Sequence, residues 1–368
     1  TGVLRENAAD LVHRVHQRAL RQRSPQQQRE ATLTAIRLAG EECLRNGITT
    51  FCDAGSSLAV IDTYRELAEA GRLPVRLWVM INEDNDTLAR SLPQYRMVNV
   101  GNHHLTVRAI KRLVDGALGA HTAWLLEPYE DVPTGNGLLT TPLDELQRTA
   151  ELALAHDCQL CVHAIGDRAN RSVLDLYART CREHGCQHSL RWRIEHAQHL
   201  DPVDIPRFAQ LGVIAAMQAV HATSDGPFVT ARLGPRRAQL GAYAWKSLLD
   251  SGAVIANGTD TPVEPLDPLV CFYAAVTRDM GGGRTFYPEQ CMTRPQALRS
   301  YTLDAAFAAW EDDIKGSLTP GKLADIVVLS QDILTIPAAQ LRATRVLYTI
   351  VGGRVLYAPA GEPVADPR

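Results

Sequence analysis

The sequence predicts an α/β chain, a (β/α)8 barrel of the TIM type that is one strand short, with a small antiparallel β appendage at the carboxyl end. Three observations carry this. Short apolar runs alternate with helical stretches of roughly ten residues or more, as parallel βαβ units require. Most of these runs stop at a polar residue, namely Asp53, Asp115, His163, His196, Gln218 and Asp260, and a barrel gathers its functional groups at such strand ends. A doubly wound sheet normally shows a Gly-rich phosphate loop, and neither G-x-G-x-x-G nor G-x-x-x-x-G-K-[ST] is present.

Taken in order, residues 1–46 carry no strand signal and read as two helices, the second opened by Ser24 as cap, Pro25 at the first helical position and Gln27 closing a capping box. Candidate strands follow at 48–54, 74–81, 105–116, 159–166, 190–197, 212–218 and 253–260. Two intervening helices have explicit starts, Thr141 before Pro142 and Asp201 before Pro202 with Asp204 at the third position. After a helical region to about Trp310, GSLTPGKLADIVVLSQD and VLYTIVGGRVLY read as short antiparallel strands joined by glycine turns. The expected division is a barrel over 1–310 and an antiparallel β unit over 311–368.

Composition narrows the function. The 368 residues are 45% hydrophobic and 21% charged, enough for a sizeable core and wrong for a disordered chain. With 38 basic and 41 acidic residues the formal charge is -3, so no bulk field draws the chain to nucleic acid or an anionic membrane. Small-molecule partners are expected, with a homo-oligomer open. No apolar run reaches the roughly 18 residues that span a bilayer, and no leader pattern opens the chain, which makes the cytoplasm the expected location. Eight cysteines are too sparse for a disulfide scaffold. Cys158 and Cys161 form a C-x-x-C inside an apolar run, where they read as core thiols.

Only four residues are lysines, so the setting of Lys111 carries information. Alternation places Leu105, Val107, Ala109, Lys111 and Leu113 on one strand face. An ammonium there must be paired, as with Asp115, depressed in pKa, or converted by CO₂ to a carbamate that bridges metal ions. His163 and His196 end successive strands, where two imidazoles lie within reach of one ion. Off those ends, His188 and His199 read as solvated. Asp260 follows the last barrel strand, where a carboxylate ligates metal or takes a proton from water, or caps an ordinary turn.

These residues and their surroundings resemble the amidohydrolase superfamily, and within it the group of N-substituted-formamide deformylase-like enzymes. The similar segments are TGVLRENA, GITTFCDAG, IKRLVDGALGAHTA, VHAIGDRANRSVLD, RIEHAQHLDP, NGTDTPVEPLDPL, GSLTPGKLADIVVLSQD and TIVGGRVLY, in order along nearly the whole chain. The resemblance implies a (β/α)8 barrel, here missing its first strand, with part of a small β-sandwich domain at the carboxyl end, and a metal-dependent hydrolase of amide-like C–N bonds other than peptide bonds, with a divalent metal, zinc, as cofactor. It implies Lys111 as a carbamylated bridge, His163 and His196 as ligands, and Asp260 as ligand and general base. The loops after the strands add Asp115, His121, His221, Asp225 and Arg236 as substrate-binding candidates, with unengaged surface positions as the other reading.

One departure matters. The family's first strand carries His-x-His, and none of the twelve histidines supplies it; His13 and His16 lie on a predicted helix, and His103 and His104 are adjacent. The chain therefore resembles a member lacking its amino-terminal portion, with a fragment, a displaced start and a degenerate product all open. Two other functions stay open with it: a barrel kept as scaffold or small-molecule binder, and a metal-free barrel using Lys111 as a Schiff-base amine. Unpaired edges on the GITTFCDAG and AVIANGTD strands lead to an expectation of poor solubility or self-association for the chain alone. Light scattering after size-exclusion chromatography measures it, and a monodisperse, cooperatively melting monomer contradicts it.

Overall fold

The computed structural model describes residues 10–185 and 190–359. His188 and the opening TGVLRENA segment lie outside the described residues. Two helices, α1 (Asp10–Arg21) and α2 (Pro25–Arg45), precede the sheet. The capping box at the start of α2 forms as its sequence dictates: Gln27 N donates to Ser24 Oγ and Ser24 N to Gln27 Oε1. Gly40 is required farther along α2, because a Cβ there would stand 1.9 Å from Pro74 Cγ.

The strands are β1 (Thr50–Ser56), β2 (Arg76–Ile81), β3 (Met97–Asn99), β4 (Leu105–Leu113), β5 (Gln159–Ala164), β6 (Arg193–His196), β7 (Ile214–Met217) and β8 (Ile255–Asn257). Seven of them pair in parallel in the order β1-β2-β4-β5-β6-β7-β8, a curled half-barrel whose edges at β1 and β8 are unpaired among the described residues; β3 adds one antiparallel bridge to β4. The helices are α3 (Leu58–Glu69), α4 (Asn85–Tyr95), the short turn α5 (Val100–His103), α6 (Leu143–Ala155), α7 (Asp167–His184), α8 (Ile205–Leu211), α9 (Ala219–Gly241), α10 (Trp245–Asp250), α11 (Pro268–Thr277), α12 (Arg294–Tyr301) and α13 (Leu303–Ala308).

Two layers of core hold this up. Between sheet and helices lies the larger one, with Ile61, Leu88, Ile110, Leu146, Leu174, Ile194 and Phe208 all fully buried; each such side chain stabilises by about 1.5–3 kcal/mol relative to exposure. Inside the curl, Trp78, Met80, Ala109, Cys161 and Ala309 pack together. The chain after α13 closes the amino-terminal mouth of the strands. There Thr106 Oγ1 donates to Glu311 Oε1 at 3.0 Å, Lys315 Nζ to Thr50 Oγ1 at 3.1 Å, Gln159 Nε2 to Ala308 O at 2.9 Å, and Glu311 pairs with Lys315. Among the described residues this leaves the carboxyl-terminal mouth for chemistry.

A separate sheet of β9 (Ile326–Leu329), β10 (Val346–Val351) and β11 (Arg354–Tyr357) runs antiparallel in the order β11-β10-β9. Gly352 and Gly353, at φ 57° and 80°, make the left-handed two-residue turn that joins β10 to β11. Val327 and Val328 of the IVVL strand are exposed.

Several expectations need correction. The face containing Lys111 does not run the length of its strand, because Arg108 is an extra residue between the Val79–Val107 and Met80–Ala109 pairs. This bulge sends Leu105 and Val107 toward the helices and Ala109 into the curl. Lys111 shares the face of Ala109, and Leu113 is exposed at the rim. Helix α6 begins at Leu143, one residue later than a Thr141 cap implies, because Pro142 stays extended at ψ 140°. Helix α8 begins only at Ile205; Asp201 instead accepts from Val203 N at 3.0 Å, a local turn that competes with capping. The last strand stops at Asn257, which leaves Asp260 on the loop beyond it.

His199 is buried rather than solvated. The segment after β6 folds under the sheet, with His199 N bonded to Ile165 O at 3.0 Å, and both ring nitrogens lack partners among the described residues. Burial lowers its pKa from 6.5 to about 3. The unfolded chain therefore binds this proton more readily, so the contribution is fully present above pH 6.5 and is lost as pH falls through that value toward 3. Metal-free His199→Phe should lose less stability than the parent between pH 7 and pH 4, by roughly 3 kcal/mol. Urea titrations at both pH values measure it, and an unchanged acid sensitivity would contradict the assignment.

Candidate metal centre

At the open mouth, four parallel strand ends deliver polar side chains. His163 is the penultimate residue of β5 and His196 the last of β6. Beyond β7, Gln218 leads into α9, whose first turn carries His221. Asp260 sits on the loop after β8 and turns left-handed at φ 56°. His196 and Ala197 have φ 78° and 44°, conformations that cost of order 1–3 kcal/mol each in a non-glycine residue. Bonds from Ala197 N to Ala164 O, at 3.1 Å, and from Tyr243 N to Gln198 O, at 2.6 Å, hold this strained corner.

The donor atoms of His196, His221 and Asp260 all lie within 4.8 Å of one another. His163 stands edge-on to His196 with ring centroids 4.5 Å apart. Burial sets the charge state of the cluster. It lowers the pKa of His163 to about 3, with Lys111 adding to the effect, and that of His221 to about 4. It pushes His196 well below its ordinary value, helped by His163 and Lys111. Neutral imidazoles with available lone pairs result, the form that binds a divalent ion. His221 Nε2 is buried without a hydrogen-bond partner among the described residues. Two imidazoles and a carboxylate are a donor set that suits zinc and similar divalent ions, so the residues present fit such an ion.

Lys111 is buried within the curl, and among the described residues it makes no ion pair with Asp115. Burial lowers its pKa, opposed by Glu195 and Asp260. Asp115 is committed elsewhere: its oxygens accept from Ile165 N, Gly166 N and Trp124 N at 3.0, 2.8 and 2.9 Å, and Oδ1 lies 3.5 Å from His163 Nε2. It braces the loop behind His163. Burial raises the Asp260 pKa and Lys111 lowers it, with burial dominant.

The remaining sequence candidates are spread out. His121 pairs with Asp131 at 3.1 Å on the loop after β4, Asp225 accepts from Tyr243 Oη at 2.5 Å, and Arg236 is exposed on α9. Its neighbour Arg237 makes the ties to the loop, donating to Glu127 O and Pro128 O. Sequence reasoning passed over the buried Arg193–Glu195 pair, 2.7 Å apart inside the curl, where Glu195 is paired in register with His163. The available signal was the period-two placement of two charges on a strand whose other residues are buried. Gln198 and Gln218 were also passed over as functional groups; each contacts a histidine of the cluster.

Comparison with known proteins bears on this arrangement. Residues 1–357 match the family model described as "Amidohydrolase family". The chain is 30% identical to the putative amidohydrolase YtcJ of Bacillus subtilis (strain 168) over 97% of its own length, and 26% identical to N-substituted formamide deformylase of Arthrobacter pascens over 98%. It spans 66% of the length of each of these relatives. An uncharacterized metal-dependent hydrolase from Pyrococcus furiosus superposes with a TM-score of 0.70 at 31% identity, covering 81% of this chain and 59% of that one.

Proposed function

The chain belongs to the amidohydrolase family, and on that premise we propose that it hydrolyses a small-molecule amide-like C–N bond, other than a peptide bond, at a divalent metal centre. The observation that carries this is the convergence of His196, His221 and Asp260 within 4.8 Å at the carboxyl mouth of a parallel sheet. A substrate of the N-substituted formamide class is supported by the name of the Arthrobacter pascens relative. His196 and Asp260 would hold the ion with His221, and His163 and Lys111 stand beside them as further donors. A bound divalent ion, zinc for preference, supplies Lewis acidity toward the carbonyl and lowers the pKa of water.

The side chains supply the rest. Asp260, with its pKa raised by burial, takes a proton from the attacking water and delivers it to the leaving nitrogen, so that amide and water become acid and amine. Gly116 O, 3.3 Å from His163 Nε2, orients that ring, and Asp115 fixes the loop behind it through three backbone bonds to its carboxylate. Lys111, held toward its neutral amine by burial, is in the form that adds CO₂ to give a carbamate and a proton, and Arg193 offsets the nearby charge of Glu195.

Protein expressed with metal supplied and then dialysed is expected to retain a divalent ion by elemental analysis, and to lose it in His196→Ala. Zinc, manganese, iron and nickel all at buffer background in the parent would remove the reading.

A further inference from the structure

Two buried glutamines each contact one histidine of the cluster at Nδ1. Gln218 Oε1 lies 2.8 Å from His196 Nδ1, and an oxygen can only accept, so His196 carries its proton on Nδ1 and a lone pair on Nε2. Gln218 is kept in this orientation by its own amide nitrogen, which donates to Ala216 O at 3.3 Å.

The second pair is set from farther away. Gln198 Nε2 lies 2.9 Å from His221 Nδ1, and Gln198 Oε1 lies 3.3 Å from Tyr243 Oη. Tyr243 has one hydroxyl proton, and Asp225 Oδ2 at 2.5 Å accepts it. The phenolic oxygen can then only accept from Gln198. Since the two ends of an amide have the same shape and bonding decides between them, this bonding turns the Gln198 amide over from that placement, NH₂ toward Tyr243 and carbonyl toward His221. In that orientation His221 also carries its proton on Nδ1. Its Nε2, buried and without a partner among the described residues, is left as a bare lone pair.

Building on the metal-centre reading above, we infer that Gln218 and the chain Asp225–Tyr243–Gln198 are positioning residues that lock His196 and His221 in the Nδ1–H tautomer, so that both offer Nε2 to an ion shared with Asp260. The opposite tautomer would place an N–H where a ligand lone pair is needed. Partners of this kind change metal affinity by about 10–100-fold.

Nitrogen-15 shifts of histidine-labelled, metal-free protein read the tautomers, and titration with Co²⁺ reads the affinity. The parent should show Nδ1–H at both imidazoles and bind Co²⁺. Gln218→Leu should lose that tautomer at His196 and bind Co²⁺ about 10–100-fold more weakly, while Gln218→Glu, which keeps an acceptor oxygen, should retain both. Tyr243→Phe frees Gln198 to turn and should shift His221 alone, which carries the test if Gln218→Leu does not fold. A parent that binds Co²⁺ with Nε2–H at either histidine overturns this inference alone. So does a folded Gln218→Leu with parental tautomers and affinity. A parent that binds no Co²⁺ overturns the metal-centre reading and this role with it.

Discussion

Asp260→Asn is expected to lower the hydrolysis proposed above by about 10²–10⁴-fold, the range a positioned proton-transfer group contributes. The argument is one of chemistry at constant shape. Asparagine keeps the volume of the side chain and the left-handed turn at φ 56°, a conformation it tolerates as aspartate does. It has no basic oxygen to take a proton from water. The fold should be preserved, since among the described residues Asp260 makes no ion pair and its backbone carbonyl accepts from Val263 N at 2.9 Å whichever side chain it carries. Amine release under saturating metal measures the effect, with circular dichroism as the control for folding. A variant within threefold of the parent would take the proton-transfer role away from Asp260.

The largest expected effect on stability lies at the opposite end of the molecule. Arg76, the first residue of β2, grips Asp325 with Nε to Oδ2 at 2.7 Å and a second nitrogen to Oδ1 at 2.9 Å, with side chains only 2% and 5% exposed. Its remaining donors reach Asn102 O and His103 O at 3.0 and 3.2 Å, and Asp325 also accepts from Gly352 N at 2.8 Å. This clasp joins the barrel strands to the antiparallel sheet. Arg76→Ala leaves a buried carboxylate without its counter-charge and should cost about 3–5 kcal/mol. Pairing it with Asp325→Leu should recover much of the loss, because the penalty is the stranded charge rather than the absent attraction. Urea denaturation of the two variants decides it, and a loss under about 1 kcal/mol in Arg76→Ala would show that water reaches the site.

Features governed by neighbours in sequence were legible in advance. The capping box of Ser24 and Gln27 depends on four consecutive residues and forms as written. All seven strands read as barrel strands are present and parallel, since apolar runs between turn residues have few other ways to be buried. The strand-end positions of His163 and His196 follow from the same runs. The amidohydrolase resemblance read from the motifs agrees with the family match over residues 1–357.

What the tertiary structure alone decided involves partners far apart in the chain. The Arg108 bulge, which reassigns the face of Leu105 and Val107, arises from how β4 fits β2, and alternation within one strand cannot reveal it. His199 is drawn into the core by a backbone bond to Ile165 across two strands, although its local sequence is polar. His221 joins His196 and Asp260 because α9 begins directly over β7, and its tautomer is set by Gln198 and Tyr243, 23 and 22 residues away. Such contacts have no period or spacing in the sequence. They follow from which strand ends the curled sheet brings side by side, and at that mouth burial, rather than residue type, makes the imidazoles neutral and fit to bind an ion.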